Sequence, residues 1–429
     1  MEINIFTGFE GGYTLARLIV RQSPPLSGRV KISGSKNSVL PIITASLLSD
    51  GLSVIDDIPA LEDVNVICDV LNNFGVRTER KNSKLFIDVK DITSYQAPYE
   101  LVRKMRASFL VMGPLLARLG RVKISLPGGC AIGTRPIDLH LKALRALGAE
   151  ISLGYGYIEA TTRGLKGSRI YLDFPSVGAT ENAIMSAALA DGLTIIENAA
   201  EEPEIIDLAN FINSMGGNVR GAGTDTIKIE GVPQLKGTTH AVIPDRIEAG
   251  TFMVATAMNG GDVTLENVII DHLKPVEAKL KEAGVQITEV PGGIRVVCNR
   301  RAKAVDIKTL PYPGFPTDMQ AQMMALLSIA KGTSIIIETI FENRFMHVAE
   351  LKRMGANIKI EGRSAVIEGT RKLTGTHIQA TDLRAGAALI LAGLKAEGET
   401  VISNVYHIDR GYEQIEKKLS GLGALIRRE

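Results

Sequence analysis

The sequence has no tryptophan, and aromatic residues make up only 5% of its 429 residues. An aromatic-lined binding module is therefore not expected. Neither sign of charge dominates: Lys and Arg number 49, Asp and Glu number 47, and the formal net charge is +2 with His neutral. A protein that coats a polyanion carries a far larger basic excess. The composition excludes that class and indicates no nucleic-acid partner.

Cysteine is equally scarce, and Cys68, Cys130 and Cys298 stand far apart with no CxxC pair. The odd number and wide spacing argue against a disulfide framework or a zinc site and suit a reducing cytoplasm. The six histidines form no HxxxH pair, so a histidine metal site has no local support either. The sequence predicts no metal centre.

Long hydrophobic runs are lacking as well. The apolar run at 386–394 has about half the length that a bilayer crossing requires. Arg17 is the first basic residue and follows Glu2 and Glu10, whereas a secretory signal starts with a positive segment. We therefore expect a cytoplasmic chain that does not insert into a membrane.

Glycine, by contrast, is abundant, with 43 residues that punctuate a repeat. An amphipathic helix pattern, followed by Gly and a short strand, recurs at intervals of 68 to 73 residues. Gly suits the left-handed position that ends a helix before a strand. The six shared glycines are Gly75, Gly148, Gly216, Gly284, Gly355 and Gly423.

A second, more apolar helix pattern alternates with the first and stops before Gly51, Gly120, Gly192, Gly261, Gly332 and Gly398. The two series predict six units of roughly 70 residues, each strand-helix-strand-helix-strand-strand. The small-residue helices at 183–190 and 385–394 are apolar on all sides, which is typical of buried helices. We predict helices inside and sheets outside, in one ring of six units or in two lobes of three.

Polar and charged residues begin several of the predicted helices. Thr317 and Thr381 are predicted N-caps, each followed by an acid in the first turn. Lys36, Arg106 and Arg384 are less ordinary, because a cation at a helix N-terminus opposes the helix dipole at a cost of about 0.3 to 1 kcal/mol. A bound anion would offset that cost. These three cations either hold an anion in a shared cleft or lie on a solvated face.

The segment 126–136 contains three glycines and two prolines and is predicted to be a loop. Cys130 lies in it, five residues before Arg135. A nearby cation can lower a thiol pKa, so Cys130 is a candidate acid or nucleophile. The alternative is a buried structural thiol. Cys68 and Cys298 stand in apolar surroundings, and for them we predict the structural role.

At this point the motifs resemble one family, the UDP-N-acetylglucosamine 1-carboxyvinyltransferases. The matches run in order from about residue 17 to the C-terminus, which makes the signal far more specific than any single motif. They are 34–37 (GSKN), 105–108 (MRAS), 127–133 (PGGCAIG), 135–140 (RPIDLH), 176–180 (SVGAT), 315–320 (FPTDMQ), 342–347 (ENRFMH) and 406–412 (YHIDRGY).

The resemblance implies an α/β fold of two inside-out domains, similar to inverse α/β barrels, each built from three repeats. It places the active site in the cleft between them. One domain would be continuous over 36–243, and the other would combine 1–35 with 244–429. Residues 1–16 have no counterpart in the resemblance and are interpreted as an extension or a tag.

The resemblance also implies the activity. The family transfers the enolpyruvyl group of phosphoenolpyruvate to the 3′-hydroxyl of UDP-N-acetylglucosamine and releases phosphate. This is the first committed step of peptidoglycan synthesis, and it needs no metal or organic cofactor. A monomer is expected, and weak self-association is left open.

Phosphoenolpyruvate carries a phosphate and a carboxylate, so several cations must converge on it, and Arg offers planar bidentate pairing. By family match, Lys36, Arg135 and Arg410 hold the phosphate side, and Arg344 and Arg384 lie toward the carboxylate. These five cations are the expected phosphoenolpyruvate ligands.

The same match assigns the proton transfers. Cys130 is the expected general acid toward the methylene carbon, and Asp318 is expected to take the proton from the sugar hydroxyl. Lys36 and Arg410 complete the expected catalytic set. The sugar nucleotide is expected to contact Asn37, Arg106, Arg135, Pro136, Ile137, Asp138, Leu139, Ser176, Val177, Gly178, Asp318 and Ile340.

One departure and three alternatives remain. Phe174 and Pro175 stand where the family has a Lys, so a nucleotide contact is lost or replaced. The sister class, 5-enolpyruvylshikimate-3-phosphate synthase, lacks the cysteine of the 126–136 loop. A transferase that acts on another nucleotide is harder to exclude. A non-catalytic UDP-sugar-binding paralogue would not require Cys130, Asp318, Lys36 and Arg410 together.

Overall fold

The structure is a computed structural model that describes residues 16–97, 99–126, 133, 137–154 and 156–429, with the side chains of Lys104 and Arg106 left undescribed. The strands are β1 (Leu18–Arg21), β2 (Leu26–Lys31), β3 (Ser49–Asp56), β4 (Arg77–Lys81), β5 (Lys84–Val89), β6 (Gln96–Ala97), β7 (Arg121–Ser125), β8 (Glu150–Gly154), β9 (Tyr157–Thr161), β10 (Arg169–Tyr171), β11 (Leu193–Glu197), β12 (Asn218–Arg220), β13 (Thr226–Glu230), β14 (Leu235–Lys236), β15 (Thr239–Ala241), β16 (Gly261–Glu266), β17 (Gln286–Val290), β18 (Gly293–Cys298), β19 (Ile307–Lys308), β20 (Thr333–Ile337), β21 (Asn357–Glu361), β22 (Ser364–Glu368), β23 (His377–Gln379), β24 (Glu399–Ser403) and β25 (Ile426–Arg428).

The helices alternate with these strands. The α-helices are α1 (Lys36–Ala45), α2 (Glu62–Asn73), α3 (Tyr99–Lys104), α4 (Met112–Leu119), α5 (Asp138–Ala146), α6 (Val177–Ala187), α7 (Pro203–Ser214), α8 (Arg246–Asn259), α9 (Lys274–Glu282), α10 (Gln320–Leu327), α11 (Val348–Arg353), α12 (Leu383–Lys395), α13 (Tyr406–Asp409) and α14 (Ile415–Gly421). Short 3-10 helices cover Ser46–Leu48, Arg106–Val111, Ile270–Leu273 and Thr317–Met319.

The described strands form six sheets with one shared plan, which confirms the predicted repeat. In the unit that starts at β10, the order is β10-β11-β13-β12, with β10 and β11 parallel and the other two pairs antiparallel. The other four-stranded sheets are β6-β7-β9-β8, β17-β18-β16-β2, β19-β20-β22-β21 and β23-β24-β1-β25; the fifth strand of the β14-β3-β5-β4 sheet is β15, which pairs with β3.

The glycines after the amphipathic helices behave as predicted. Gly75, Gly148, Gly216, Gly284, Gly355 and Gly423 all have φ between +89° and +101°, the left-handed conformation that turns a helix into a strand. A residue with a Cβ would be strained there. The spacing of these glycines therefore fixes where each unit reverses direction.

Helices and sheets divide the burial as predicted. In α12 every residue from Arg384 to Leu394 is buried, and in α8 every residue from Ile247 to Asn259 is. The amphipathic α9 buries only Val276 and Leu280. Strand β5 alternates between buried and more exposed residues, so one face of its sheet meets solvent. The inside-out α/β prediction is confirmed.

Two hydrophobic clusters make up the core. One, which we call the first lobe, is built from residues 39–242; the other, the second lobe, combines residues 18–32 with 247–424. The chain start enters the second lobe through β1, which pairs with β24 and β25, and β2, which pairs with β16. These clusters support a division of the chain at 35/36 and 243/244, and those boundaries stay a prediction.

The chain crosses between the lobes twice, and the two crossings are bonded to each other. Ser35 N–H donates to Ile243 O at 2.7 Å, and Asp245 N–H donates to Ser33 O at 2.9 Å. Gly34 and Pro244 form an isolated antiparallel bridge between these bonds. The starts of α1 and α8 are thereby held side by side at the junction.

Two predicted N-caps are wrong. Thr381 is not the cap of α12: Asp382 is, and its carboxylate accepts from the backbone N–H groups of Arg384 and Ala385. Thr317 begins a short 3-10 helix after Pro316, and its hydroxyl donates to Glu338 instead.

No helix in the described ranges combines the length and apolarity that a membrane crossing demands.

Candidate active site

Helix starts from both lobes meet where the chain crosses over. Lys36 is the first residue of α1, and its backbone N–H donates to Asp245 Oδ2 at 3.1 Å. Asp318 lies in the 3-10 helix that leads into α10, and Arg384 is the second residue of α12. Lys36, Asp318 and Arg384, three of the predicted helix-start residues, therefore lie at one junction.

Asp318 lies between two arginines of its own lobe. Arg344 Nη2 donates to Asp318 Oδ1 at 2.8 Å, and Arg384 donates to Asp318 Oδ2 from Nη2 at 3.0 Å and from Nε at 3.2 Å. Burial on its own would raise the pKa of Asp318, but the charges of Arg384 and Arg344 hold it well below its ordinary value. The carboxylate is firmly ionised in this arrangement.

Both arginines are buried, with side-chain exposures of 3%, and neither is fully hydrogen-bonded. The Nη1 atoms of Arg344 and Arg384 have no hydrogen-bond partner among the described residues. Arg384 also lies 5.4 Å from the centroid of the Tyr412 ring, which limits its orientations. Unsatisfied buried donors are costly, so these two nitrogens are suited to an incoming anion.

Asp63 forms a second cluster, which sequence reasoning missed. Its carboxylate accepts from Arg410 Nε at 2.8 Å and lies 3.1 Å from Lys36 Nζ. Burial alone would raise the pKa of Asp63, but Lys36 and Arg410 outweigh it, so the pKa lies below its ordinary value. Asp63 belongs to the first lobe and Arg410 to the second, and this cluster joins the lobes.

The pKa of Lys36 is lowered, whereas that of Arg384 is raised. Burial lowers the pKa of Lys36 below the ordinary value, the Asp63 carboxylate works against that, and the charges of Arg410 and Arg384 lower it further. A Cβ at Gly411 would lie 3.1 Å from Lys36 Cδ, so the glycine after Arg410 makes room for the lysine stem. An anion that replaced Asp63 would oppose this lowering of the Lys36 pKa as Asp63 does.

The two clusters are adjacent. Lys36 contacts Asp63, and its neighbour Asn37 has Nδ2 3.5 Å from Asp318 Oδ2. The described clusters contain the four cations Lys36, Arg344, Arg384 and Arg410 and the two carboxylates of Asp63 and Asp318. Positive charge is in excess, which favours a small molecule with more than one negative group.

A third pair links the lobes away from these clusters. Arg246, the first residue of α8, donates from Nε to Glu204 Oε1 at 3.0 Å, and both side chains are buried. Nearby, burial raises the pKa of Glu202 to about 7, against the charge of Arg246. The junction is therefore charged well beyond the predicted residues.

Of the described residues expected to hold the sugar nucleotide, Asp318 and Ile340 lie in the second lobe and the others in the first. Ser176 caps α6 and accepts from Ala179 N–H at 3.4 Å. Ile137 caps α5, and Asp138 and Leu139 are its first two residues. None of the described Ser176, Val177 or Gly178 groups hydrogen-bonds to Asp318, so Asn37 joins the Asp318 cluster and these three residues do not.

Several predictions fall outside the described residues. Cys130, Arg135 and Pro136 lie outside them, and so does the side chain of Arg106. Gly133 is described, and a Cβ there would lie 2.8 Å from Glu342 Oε2 of the second lobe. At this one point the loop therefore meets the opposite side of the junction.

The remaining thiols and the metal question can be answered for the described ranges. Burial raises the pKa of Cys68 to about 11 and raises that of Cys298 as well, in agreement with structural roles. In residues 16–97, 99–126, 133, 137–154 and 156–429, no three His, Cys, Asp or Glu side chains are grouped closely enough to hold a metal ion. Phe174, at the position of the expected Lys, is exposed.

Comparisons with known proteins identify the family of the chain. The family described as EPSP synthase (3-phosphoshikimate 1-carboxyvinyltransferase) matches residues 20–419. UDP-N-acetylglucosamine 1-carboxyvinyltransferase 1 of Caldanaerobacter subterraneus subsp. tengcongensis is 68% identical and covers 96% of this chain and 99% of the relative. UDP-N-acetylglucosamine 1-carboxyvinyltransferase 2 of Carboxydothermus hydrogenoformans is 59% identical, with coverage of 96% and 99%.

Solved structures show the same fold at low identity. The enolpyruvyl transferase NikO from Streptomyces tendae has a TM-score of 0.88 at 23% identity, covering 96% of this chain and 98% of that one. EPSP synthase from Acinetobacter baumannii has a TM-score of 0.76 at 20% identity, covering 97% and 100%. The arrangement of two three-repeat lobes is therefore shared.

Proposed function

The chain belongs to the UDP-N-acetylglucosamine 1-carboxyvinyltransferase family, and from that premise we propose how its own residues perform the reaction. The enzyme transfers the enolpyruvyl group of phosphoenolpyruvate to the 3′-hydroxyl of UDP-N-acetylglucosamine and releases phosphate, the first committed step of peptidoglycan synthesis. The observation that carries the residue assignment is the pair of carboxylates, each between two cations, at the lobe junction.

Phosphoenolpyruvate binds across the two clusters. Its carboxylate takes the free Nη1 donors of Arg344 and Arg384, which are buried and aligned by Asp318. Its phosphate displaces Asp63 from Lys36 and Arg410, with Arg135 as a third ligand. Charge-assisted bonds of this kind are roughly twice as strong as neutral ones. The excess positive charge of the junction matches the two anionic groups.

Asp318 acts as the base toward the sugar hydroxyl. In the present arrangement it is a weak base, because Arg384 and Arg344 depress its pKa. When the substrate carboxylate shares these arginines, their field on Asp318 weakens and its pKa rises toward the range that suits general-base catalysis. Binding of one substrate thereby activates the group that deprotonates the other.

Cys130 supplies the proton for addition. The thiol protonates the methylene carbon of phosphoenolpyruvate while the sugar 3′-oxygen bonds to its C2, which gives a tetrahedral intermediate. Loss of a methyl proton and departure of phosphate then form the enolpyruvyl product. Lys36 and Arg410 stabilise the charge of the leaving phosphate. A closed cleft would keep water from the intermediate.

The sugar nucleotide lies along the first lobe and reaches Asp318 at its sugar end. Support comes from the starts of α5 and α6, whose backbone N–H groups favour phosphate. We assign to it Asn37, Arg106, Arg135, Pro136, Ile137, Asp138, Leu139, Ser176, Val177, Gly178, Asp318 and Ile340. Phe174 would replace a charged contact by an apolar one.

The proposal also covers the oligomeric state, the cellular compartment and the domain boundaries. We propose a monomer in a reducing cytoplasm, and the free thiols of Cys68 and Cys298 support that compartment. The domain boundaries at 35/36 and 243/244 follow the two hydrophobic clusters.

The assay that tests the proposal measures phosphate release from phosphoenolpyruvate with UDP-N-acetylglucosamine, with shikimate 3-phosphate and with no acceptor. We expect release with the first acceptor only. Release with shikimate 3-phosphate alone would assign the chain to the sister reaction. No release with either, from a folded protein that binds UDP-N-acetylglucosamine, would identify a non-catalytic binder.

A further inference from the structure

The turn after the second strand of a repeat follows a shared rule. In four repeats this turn begins with a non-glycine residue at positive φ, between +54° and +59°: Asp57, Asn198, Asn267 and Asn404. Two of the asparagines also tie the turn to the neighbouring strand end, since Asn198 Nδ2 donates to Leu172 O at 2.6 Å and Asn267 Nδ2 donates to Ile32 O at 2.8 Å. Asn and Asp tolerate this backbone conformation.

Glu338 occupies the same place in the repeat that contains β20. Thr309 N–H donates to Ile337 O at 3.0 Å, just as Ile32 N–H donates to Glu266 O at 3.0 Å in the repeat of Asn267. Glu338 therefore corresponds to Asn267, yet it is not among the residues at positive φ. This repeat has replaced an asparagine turn by a longer, charged side chain.

The Glu338 carboxylate is fully buried and uses both oxygens. Oε1 accepts from Thr309 Oγ1 at 2.9 Å and from the backbone N–H groups of Ile340 at 2.8 Å and Phe341 at 3.1 Å. Oε2 accepts from Thr317 Oγ1 at 2.9 Å. No described Lys or Arg forms a salt bridge with it, so the two hydroxyls and two backbone N–H groups are the donors that satisfy this buried side chain.

These bonds join two segments that each end in a site residue. Thr317 precedes Asp318, and the segment held through Ile340 and Phe341 leads to Arg344. Arg344 in turn donates to Asp318 at 2.8 Å, which closes a ring of contacts. A tie to the neighbouring strand would need only an asparagine, as in the repeats of Asn198 and Asn267. The second oxygen is used for Thr317.

We propose that Glu338 is a positioning residue for the Asp318–Arg344 pair, which it aligns through the Thr317 hydroxyl and the Ile340 and Phe341 amides. This inference rests on the proposed function for its kinetic consequence. Glu338 touches neither substrate and acts by setting the distance between the base and the arginine. Misplacement of about 1 Å in such a pair can reduce the rate by about a hundredfold.

The kinetic test distinguishes the hydrogen bond from Thr317 to Oε2 from the hydrogen bonds to Oε1. Thr317→Val removes the hydroxyl while keeping the shape, and we expect kcat to fall about tenfold with both KM values within about threefold. Thr317→Ser keeps the hydroxyl and should retain kcat. Glu338→Ala should lower kcat about a hundredfold, and Glu338→Gln, which keeps hydrogen-bonding groups at both ends, should recover most of that loss.

A double variant and a matched control distinguish positioning from general loss of structure. Glu338→Ala with Thr317→Val should be no slower than Glu338→Ala alone, because the two residues act through one bond. Asn267→Ala removes the corresponding turn contact in the neighbouring repeat and should leave kcat unchanged at a similar loss of melting temperature. Additive losses, equal kcat for Thr317→Val and Thr317→Ser, or a matching kcat loss in Asn267→Ala would overturn the proposal.

Hydrogen exchange tests Glu338 without any turnover. In Glu338→Ala, or in Thr317→Val if the former does not fold, amides in both 309–318 and 338–344 should exchange faster than in the wild type. Faster exchange in one segment only would contradict the coupling. An inactive wild-type chain would contradict the proposed function. The exchange pattern would still decide whether Glu338 joins the segments 309–318 and 338–344.

Discussion

Asp63 and Asp318 are both carboxylates between two cations, but they recruit those cations differently. Asp318 takes Arg344 and Arg384 from its own lobe, and both arginines are 3% exposed. Asp63 takes Lys36 from the first lobe and Arg410 from the second, and Arg410 is 31% exposed. One cluster is complete once a single lobe has folded, whereas the other depends on how the two lobes meet.

The contrast suggests a division of labour at the junction. A cluster set within one lobe can hold a base and a substrate carboxylate in constant geometry. A cluster shared between lobes responds to their separation, so a phosphate that replaces Asp63 would link the lobes by binding both cations. We therefore propose that the same motif serves chemistry in one place and lobe docking in the other.

Asp318→Asn should have the largest effect, because it removes the base from the cluster within one lobe. We expect kcat to fall about 10²- to 10⁴-fold, the usual contribution of a general base. The KM for phosphoenolpyruvate should not rise, since Arg344 and Arg384 lose a competing carboxylate. Steady-state kinetics with varied phosphoenolpyruvate measures both quantities.

Asp271→Asn is the control for that variant. Asp271 is an exposed acid of the same lobe, paired only with Lys274. Its replacement should change neither constant. A loss of kcat below tenfold in Asp318→Asn would mean that another group takes the proton, and the contrast between the clusters would no longer separate chemistry from docking.

Cys130→Ser tests whether the first lobe supplies the acid. We expect kcat to fall about a hundredfold, as for loss of a general acid, and sensitivity to fosfomycin, the epoxide that alkylates this cysteine in the family, to disappear. Time-dependent inactivation by fosfomycin is the measurement. Cys68→Ser is the matched control, because burial raises that thiol's pKa to about 11 and it should not react.

Full fosfomycin sensitivity in Cys130→Ser would place the reactive thiol elsewhere. If Cys130→Ser also kept its kcat, a residue other than Cys130 would supply the proton, and the 126–136 loop of the first lobe would lose its assigned part in the reaction.

The sequence predicts the fold well because glycines in a left-handed conformation mark each repeat. Gly75 and its five counterparts end helices in a conformation that other residues avoid, and their spacing defines six units. The choice between one ring and two lobes could not come from periodicity. It depends on which sheets and helices meet, and equivalent repeats carry the same local pattern.

The candidate site is predicted in part. Lys36 and Arg384 are recognisable because cations at helix starts oppose the helix dipole. Asp63 was missed because an acid in a first helical turn is ordinary, although it lies in register with the buried Ile67, Val70 and Phe74. An acid on the apolar face of an amphipathic helix is a signal that could have found it.

The two wrong N-cap predictions show that a neighbouring carboxylate can replace a predicted capping hydroxyl or accept its hydrogen bond. Thr381 fails because Asp382, one residue later, reaches two backbone N–H groups with its carboxylate. Thr317 fails because Glu338, 21 residues away, takes its hydroxyl. The role of Asp382 could have been predicted from the residues next to Thr381. The role of Glu338 required a comparison of Glu338 with the asparagines of the other repeats.

Asp63→Asn should have the smallest effect on rate but a distinct pH signature, because Asp63 keeps Lys36 charged. Burial and the charges of Arg410 and Arg384 lower the pKa of Lys36, and the Asp63 carboxylate opposes them. Without that carboxylate the pKa of Lys36 falls further. In the proposed function Lys36 binds phosphate in its protonated form, so the alkaline limb of kcat/KM for phosphoenolpyruvate should move to lower pH, with the loss confined to the alkaline end. Glu62→Gln, at the exposed neighbouring position on α2, should leave the profile in place. An unmoved alkaline limb in Asp63→Asn would show that Lys36 does not depend on the contact between the lobes, and the two clusters would then differ in position alone.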